Sequence, residues 1–444
     1  MIVGKADCGL GYAVKRSGSS VGYCALSIRC GTRDEEGFHS GIAHFTEHTI
    51  FKGTERKSAS VINSYLDRLG GELNAYTTKE EIVFHATVLK EDLSKAAGLL
   101  FELATQATFP EKEIATEKGV VIDEIQSYKD SPADEVYDRF EEALFAGHPL
   151  GGAILGTPAS VRKITSEELK RFVKQHFTPD RMAFTVVADF DETRMERAVL
   201  KLVQRYFSGT YESTLRGELP PKTSAAPTPP LRSACGSPSR PRVALFSEGV
   251  PDAAVQEVPL NKFDRTVDKR NHEVNAVIGG LAPSLYDHKD RITAVLLANI
   301  LGGPASNSIL NDILREKNGW VYGVECGYTQ YRETGIMAIS LGCDKENLDK
   351  CTKAIAKSIA CLQEKPLSGR KLKAAKKQLL GQLAVSSESG ESQCLSMGKS
   401  MLAYGRVATD SDNRAAVEAV TSEDLQNMAK RIFNEENLSR LVFL

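Results

Sequence analysis

The sequence predicts an α+β protein built as two related domains, each a mostly antiparallel sheet packed with helices. Three observations predict it. Strand-like runs are interleaved with long helical stretches, the pattern of one sheet with helices laid on it. The chain echoes itself: Ile164-Thr165-Ser166-Glu167-Glu168-Leu169 returns as Val420-Thr421-Ser422-Glu423-Asp424-Leu425. Proline collects in one place. Nine of the 17 prolines fall between Pro220 and Pro259, including the pair Pro229-Pro230, and such a stretch sustains neither helix nor central strand.

These signals divide the chain into a domain over 1–210, a proline-rich linker over 211–262 and a second domain over 263–444. In the first, Ser58 is placed to cap a helix running through Leu69. Strands ELNAY (72–76) and IVFHATV (82–88) follow. Helices are expected at 91–106 and 110–129, with Pro110 in the first turn of the latter, where its missing N–H costs nothing. Thr165 and Glu168 have the spacing of a capping box, and the strand MAFTVVADF (182–190) closes the domain. The second domain repeats the order. SNSILNDILRE (306–316) reads as helix, WVYGVECGYTQ (320–330) and GIMAISLGC (335–343) as strands, and 346–363 and 367–389 as long helices. Thr421 with Asp424 repeats the capping pattern, an aromatic follows at the same offset (Phe177, Phe433), and SRLVFL (439–444) is the last strand.

Composition narrows the function. A chain of 444 residues, 41% of them apolar, is long enough for two cores and excludes wholesale disorder. Lys and Arg total 56 against 58 Asp and Glu, a net charge of −2, so no basic excess points to nucleic acid. The opening MIVGKADCGLGYAVKRSG has no apolar core of a secretory signal, and no unbroken apolar run nears eighteen residues. A cytoplasmic protein that does not cross a membrane is expected. The nine cysteines include no C-x-x-C pair, which suits reduced, mostly buried thiols.

One constellation carries chemistry. His44-Phe45-Thr46-Glu47-His48 is H-x-x-E-H, the inverted form of the zincin H-E-x-x-H. On a helix, positions i and i+4 share a face, so both imidazoles can reach one ion. Glu47, one turn from His44, can meet a metal-bound water without ligating the metal. The bland alternative is a pair of solvated helix histidines. Zinc needs a third protein ligand and keeps a fourth position for water. Glu117 and Glu124 in EKEIATEKGVVIDEIQSYKD are candidates: seven residues apart, they share a face of an otherwise apolar-striped helix. Asp123 points about 100° away from Glu124. The remaining histidines fall into no ligand pattern, Gly151-Gly152 and Gly302-Gly303 lack phosphate-cradle spacing, and no Ser or Cys elbow is present.

At these residues the sequence resembles the pitrilysin-type inverzincin metallopeptidases, over nearly the whole chain outside the linker. CGTRDEEGFHSGIAHFTEHTIFKGT is similar to the signature around the family's zinc helix, and GGELNAYTTKEEIVFHATV to the strand pair that follows it. Glu124 lies 76 residues beyond His48, where the family places its third ligand. The resemblance implies one Zn2+ per chain held by His44, His48 and Glu124, with Glu47 as general base and Glu117 in support. Arg315 and Tyr322, in LREKNGWVY, resemble the family's Arg/Tyr pair at the same spacing of seven. The resemblance gives them the substrate backbone and the oxyanion, and it puts a substrate strand beside Asn74, Ala75 and Tyr76. By residues alone they are a surface arginine and a core tyrosine.

The resemblance further implies a clamshell of two halves around a closed chamber. A chain with two domains and one metal motif supplies one half. The helix TAVLLANILGG of the second domain carries alanines and leucines where the first has His and Glu. A homodimer is expected, with Arg315 and Tyr322 acting in trans on peptides or unfolded polypeptides. Two other readings of the same fold stand beside this one: a presequence-type processing peptidase, and a non-catalytic core or partner subunit.

Overall fold

In the computed structural model, residues 1–216, 258–259 and 261–444 are described. The first half forms β1 (Ile2–Lys5), β2 (Gly11–Arg16), β3 (Val21–Ile28), α1 (Ile42–Ile50), α2 (Ala59–Asn63), β4 (Glu72–Thr77), β5 (Ile82–Leu89) and α3 (Leu93–Gln106). It continues with α4 (Glu111–Lys129), α5 (Pro132–Leu144), α6 (Pro158–Val161), α7 (Ser166–His176), β6 (Met182–Ala188) and α8 (Glu192–Arg216). The second half forms β7 (Asp264–Val267), β8 (Val274–Ala282), α9 (His288–Gly302), β9 (Val321–Gln330), β10 (Gly335–Cys343) and α10 (Leu348–Glu364). It ends with α11 (Gly369–Ser386), α12 (Gly390–Tyr404), α13 (Asp410–Ala419), α14 (Ser422–Ile432) and β11 (Ser439–Phe443).

The strands make two sheets on one plan, β1-β2-β6-β3-β5-β4 and β7-β11-β8-β10-β9. Apart from β1 the orders superimpose. In each, one pair is parallel (β2 with β6, β7 with β11) and the others are antiparallel. Identical topology is what the repeated capping segment and strand pairs lead one to expect of two related α+β units.

The layers are not self-contained. One face of the first sheet packs on helices of its own half, and Phe45, Phe84, Phe101 and Phe184 are fully buried there. The opposite face (Ala13, Ala25, Val83, Val187) is closed by Cys394, Met397 and Met401 of α12, a helix of the second half. Reciprocally, Val136, Phe140 and Leu144 of α5 pack on Val277, Ile336 and Leu441 of the second sheet. Each half thus lends a helix to the other. This explains β6, all seven of whose residues are buried: a strand covered on both faces reads as a continuous apolar run.

Local differences from the sequence reading have identifiable causes. The helix expected from Ser58 to Leu69 breaks after Asn63, and Ser58 makes no side-chain cap. Asn63 and Ser64 are weak helix formers whose side chains compete for backbone; Ser64 Oγ binds the Ser60 carbonyl at 2.9 Å. The helix expected over 306–316 is wound as a π-helix across Asn311–Lys317, with Asn318 Nδ2 on the Ile313 carbonyl five residues back at 2.7 Å. The Thr421–Asp424 capping box closes both ways, whereas Glu168 leaves Thr165 half-capped and turns its carboxylate to His39.

Helix α8 runs to Arg216, beyond 210. The rest of the proline-rich stretch, 217–257 and 260, lies outside the described residues. The eight cysteines among the described residues are all free, six of them buried. No helix among these residues is long and apolar enough to cross a membrane.

Candidate metal centre

Helix α1 is held rigidly from its first turn. Gly41, just before it, has φ 89°, and a Cβ there would lie 2.8 Å from the Leu155 carbonyl oxygen, so only glycine fits. The backbone N–H groups of Gly41 and Ala43 donate to the carboxylate of Glu35 at 2.9 and 3.0 Å. That supplies two of the helix's orphan donors with an acceptor from outside the helix. Ile42, Ala43, Phe45 and Ile50 are buried in the core. This anchoring fixes the direction in which His44, Glu47 and His48 project.

His44 and His48, one turn apart, have ring centroids 4.6 Å from each other. Helix α4 crosses beside them and brings Glu124 Oε1 to 3.8 Å from His44 Nε2, and Glu124 Oε2 to 3.3 Å from His48 Nε2. One ligand atom from each of the three residues falls within 4.8 Å of the others, the one such group among the described residues. Tetrahedral zinc with bonds of 2.0–2.1 Å spaces its ligands about 3.4 Å apart. Glu124 Oε2 is shielded from solvent yet takes no hydrogen bond, although His48 Nε2 is near. Close approach without a shared proton suits two ligands of one ion. Burial, then the neighbouring His48, pulls the His44 imidazole down to about 3, so it is neutral at ordinary pH, as a ligand must be. The residues present fit a zinc ion.

Behind the cluster, the second ring nitrogen of His48, Nδ1, lies 3.0 Å from Glu117 Oε1, and Lys52 Nζ lies 2.7 Å from Glu117 Oε2. Glu117 is buried. A carboxylate on Nδ1 holds the proton there and leaves Nε2 free to ligate. Glu47 stands beside the cluster with Oε2 accepting from Thr77 Oγ1 at 2.6 Å. Burial pushes its carboxyl up, with Glu124 adding to the rise; Thr77 and His48 pull the other way.

Asn74, Ala75 and Tyr76 lie on β4, which among the described residues is an edge strand paired with β5 alone, and which packs beside α1. Arg315 and Tyr322 are not brought to the cluster. Tyr322 is 62% exposed, on the other sheet's edge strand β9, and its hydroxyl donates to Asp344 Oδ1 at 2.8 Å. The Arg315 side chain is exposed. The turn after β9 is the end that meets the first half, through Arg332 on Glu80 at 3.0 Å; Tyr322 is near the opposite end of that strand.

In the second half the equivalent helix α9 offers Ala294 and Ala298, both buried. Gln382 of α11 takes a hydrogen bond from Asn299 Nδ2 at 2.6 Å. Among the described residues no metal donor set lies there. Three residues that matter at the centre went unread in sequence: Glu35, Lys52 and Thr77. Glu35 sits in an acidic run and Thr77 in a strand, so neither type stands out. Lys52 could have been paired only with a known neighbour.

Comparisons with known proteins match both halves of the chain. Residues 13–158 match the family described as Insulinase (Peptidase family M16), and residues 163–379 match the one described as Peptidase M16 inactive domain. The second segment contains none of the cluster residues. A Bacillus subtilis protein named as an uncharacterized zinc protease is 28% identical over 415 residues, covering 94% of this chain and 91% of that protein. One of the same description from Streptomyces coelicolor is 26% identical over 403 residues, 90% of this chain and 80% of its own. A crystal structure of a protease from Helicobacter pylori superimposes with a TM-score of 0.81 at 19% identity, covering 100% of this chain and 98% of that one. A peptidase M16 inactive domain from Pseudomonas fluorescens gives 0.80 at 18% identity, covering 100% and 97%.

Proposed function

This chain is a member of the pitrilysin-type M16 peptidase family, and on that footing we propose that it is a zinc-dependent endopeptidase acting on peptides or unfolded polypeptides. The observation that carries the proposal is the convergence of His44, His48 and Glu124 within 4.8 Å, with Glu47 beside them. A zinc ion bound there supplies Lewis acidity and a water of lowered pKa.

The chain's own groups do the rest. Glu117 holds His48 in the tautomer that presents Nε2. Glu47 takes the proton of the attacking water on its carboxylate and returns it to the leaving amine. Its raised pKa moves it toward the range where such transfers are efficient. The open edge of β4 can accept an extended peptide as a further strand through main-chain hydrogen bonds, which are tolerant of sequence. Arg315 and Tyr322 lie away from this site within the chain. We assign them to the partner's site in a homodimer that encloses the substrate, where their donors would meet the oxyanion.

The test is metal analysis joined to turnover of a quenched peptide library with and without a chelator. One zinc per chain and chelator-sensitive cleavage are expected. Glu47→Gln should keep the zinc and lose about 10²–10⁴-fold in kcat. Full turnover by that variant removes Glu47 from the mechanism. Neither zinc nor cleavage would leave the non-catalytic subunit as the reading.

A further inference from the structure

The carboxylate of Glu47 is held from outside its own helix. The group that holds it, the hydroxyl of Thr77, donates to Oε2 at 2.6 Å. Among the described residues this is the one hydrogen bond that the Glu47 carboxylate takes. Thr77 is the last residue of β4 and pairs with Ile82 of β5. The turn that follows is closed by Thr78 N on the Glu81 carbonyl at 2.8 Å and by Glu81 N on Thr78 Oγ1 at 3.0 Å.

That hairpin is pinned on both sides. Lys79 is buried, with its ammonium 2.7 Å from the Leu150 carbonyl and 3.2 Å from Glu141. Glu80 receives Arg33 of the first half and Arg332 of the second. Thr77 therefore cannot slide along the sheet, and a β-branched residue has few rotamers in which to turn its hydroxyl away.

We propose that Thr77 is the positioning residue of Glu47. It engages one carboxylate oxygen so that the other, Oε1, is the one offered to the reacting proton. This rests on the reading of Glu47 as general base. It also adds a coupling to that reading, because Thr77 belongs to the strand whose free edge takes the substrate. A peptide added along Asn74–Tyr76 stiffens the strand that carries the tether, so the base is best aligned when substrate is present. Misplacing a reacting group by about 1 Å can cost on the order of 10²-fold.

Thr77→Val keeps the shape and removes the hydroxyl; Thr77→Ser keeps the hydroxyl and removes the methyl group. In T77V, zinc content and thermal midpoint should stay near wild type. KM should move by no more than about 3-fold and kcat should fall by about 10²-fold, while T77S restores most of kcat. Crystal structures of the metal-free proteins should have the Glu47 carboxylate held in wild type and T77S and turned away in T77V. The proposal is overturned if T77V has wild-type kcat, if T77S is as slow as T77V, if KM alone changes, or if Glu47 does not move. Should T77V fail to fold, Thr77→Ala replaces it: equal kcat in T77A and T77S overturns the proposal, and a loss confined to T77A supports it. If wild type cleaves no peptide, the peptidase reading fails, and the crystal comparison decides the role of Thr77 by itself.

Discussion

At the scale of residues, the centre depends on groups whose ordinary titration is displaced by where they sit. His44 is kept neutral by burial, with the neighbouring His48 adding to the effect. Glu35 is the most perturbed carboxyl around α1. Burial drives it up to about 8 against the two backbone donors that would lower it. A group that binds its proton more tightly when folded adds stability below its unfolded pKa, near 4.5, and that stability drains away as the pH rises toward 8. The thermal midpoint of the wild type should therefore fall between about pH 5 and pH 8 more steeply than that of Glu35→Gln. Equal slopes in calorimetry would remove Glu35 from this balance. The two histidines were legible because ligation demands particular residue types at helical spacing, whereas Glu124 was singled out from Glu117 only by the family resemblance. Thr77 and Lys52 were not, because a hydroxyl or an ammonium acquires its task only from the neighbour that folding brings to it.

At the scale of elements, the sequence reading missed β1–β3, β7, β8 and α8, whereas β4–β6, β9–β11 and the long helices α3, α4, α9, α10 and α11 were legible from pattern. The exchange of α5 and α12 was not. Both helices are amphipathic, and an amphipathic pattern says that a face is covered without saying by which sheet. The exchange makes a definite prediction. Phe140, fully buried on α5, meets Phe263 of the second half with ring centroids 5.4 Å apart. Phe140→Ala should cost about 3–5 kcal/mol. The loss of hydrogen-exchange protection should fall on β8 and β11, in the sheet that α5 covers. Loss confined to α4 and the first sheet would contradict the packing described here.

At the scale of the whole molecule, the metal centre and the Arg315/Tyr322 pair are two parts of one proposed site held apart by the fold. The centre lies beside the edge strand of one sheet, and Tyr322 projects from the edge strand of the other, exposed and hydrogen-bonded to Asp344. A homodimer in which each chain completes the other's site predicts complementation. Glu47→Gln and Tyr322→Phe proteins, each nearly inactive alone, should regain about a quarter of wild-type activity when mixed and re-equilibrated, since half of the dimers would hold one intact site. No recovery, with subunit exchange verified by mass, would count against assembly in trans.

The sequence by itself determined the α+β class, the repetition of one plan and the histidine pair of the cluster. Each is written in local terms: apolar periodicity, capping spacing, and two imidazoles one helical turn apart. Tertiary structure set the distances that put Glu124 facing both histidines and Glu117 behind one of them, an assignment the sequence carried only through its family resemblance. It also decided which hydroxyl holds the Glu47 carboxylate, which sheet each exchanged helix covers, and that Tyr322 stands clear of the candidate metal centre. These depend on distances between segments far apart in the chain, set by packing, and no local pattern encodes them.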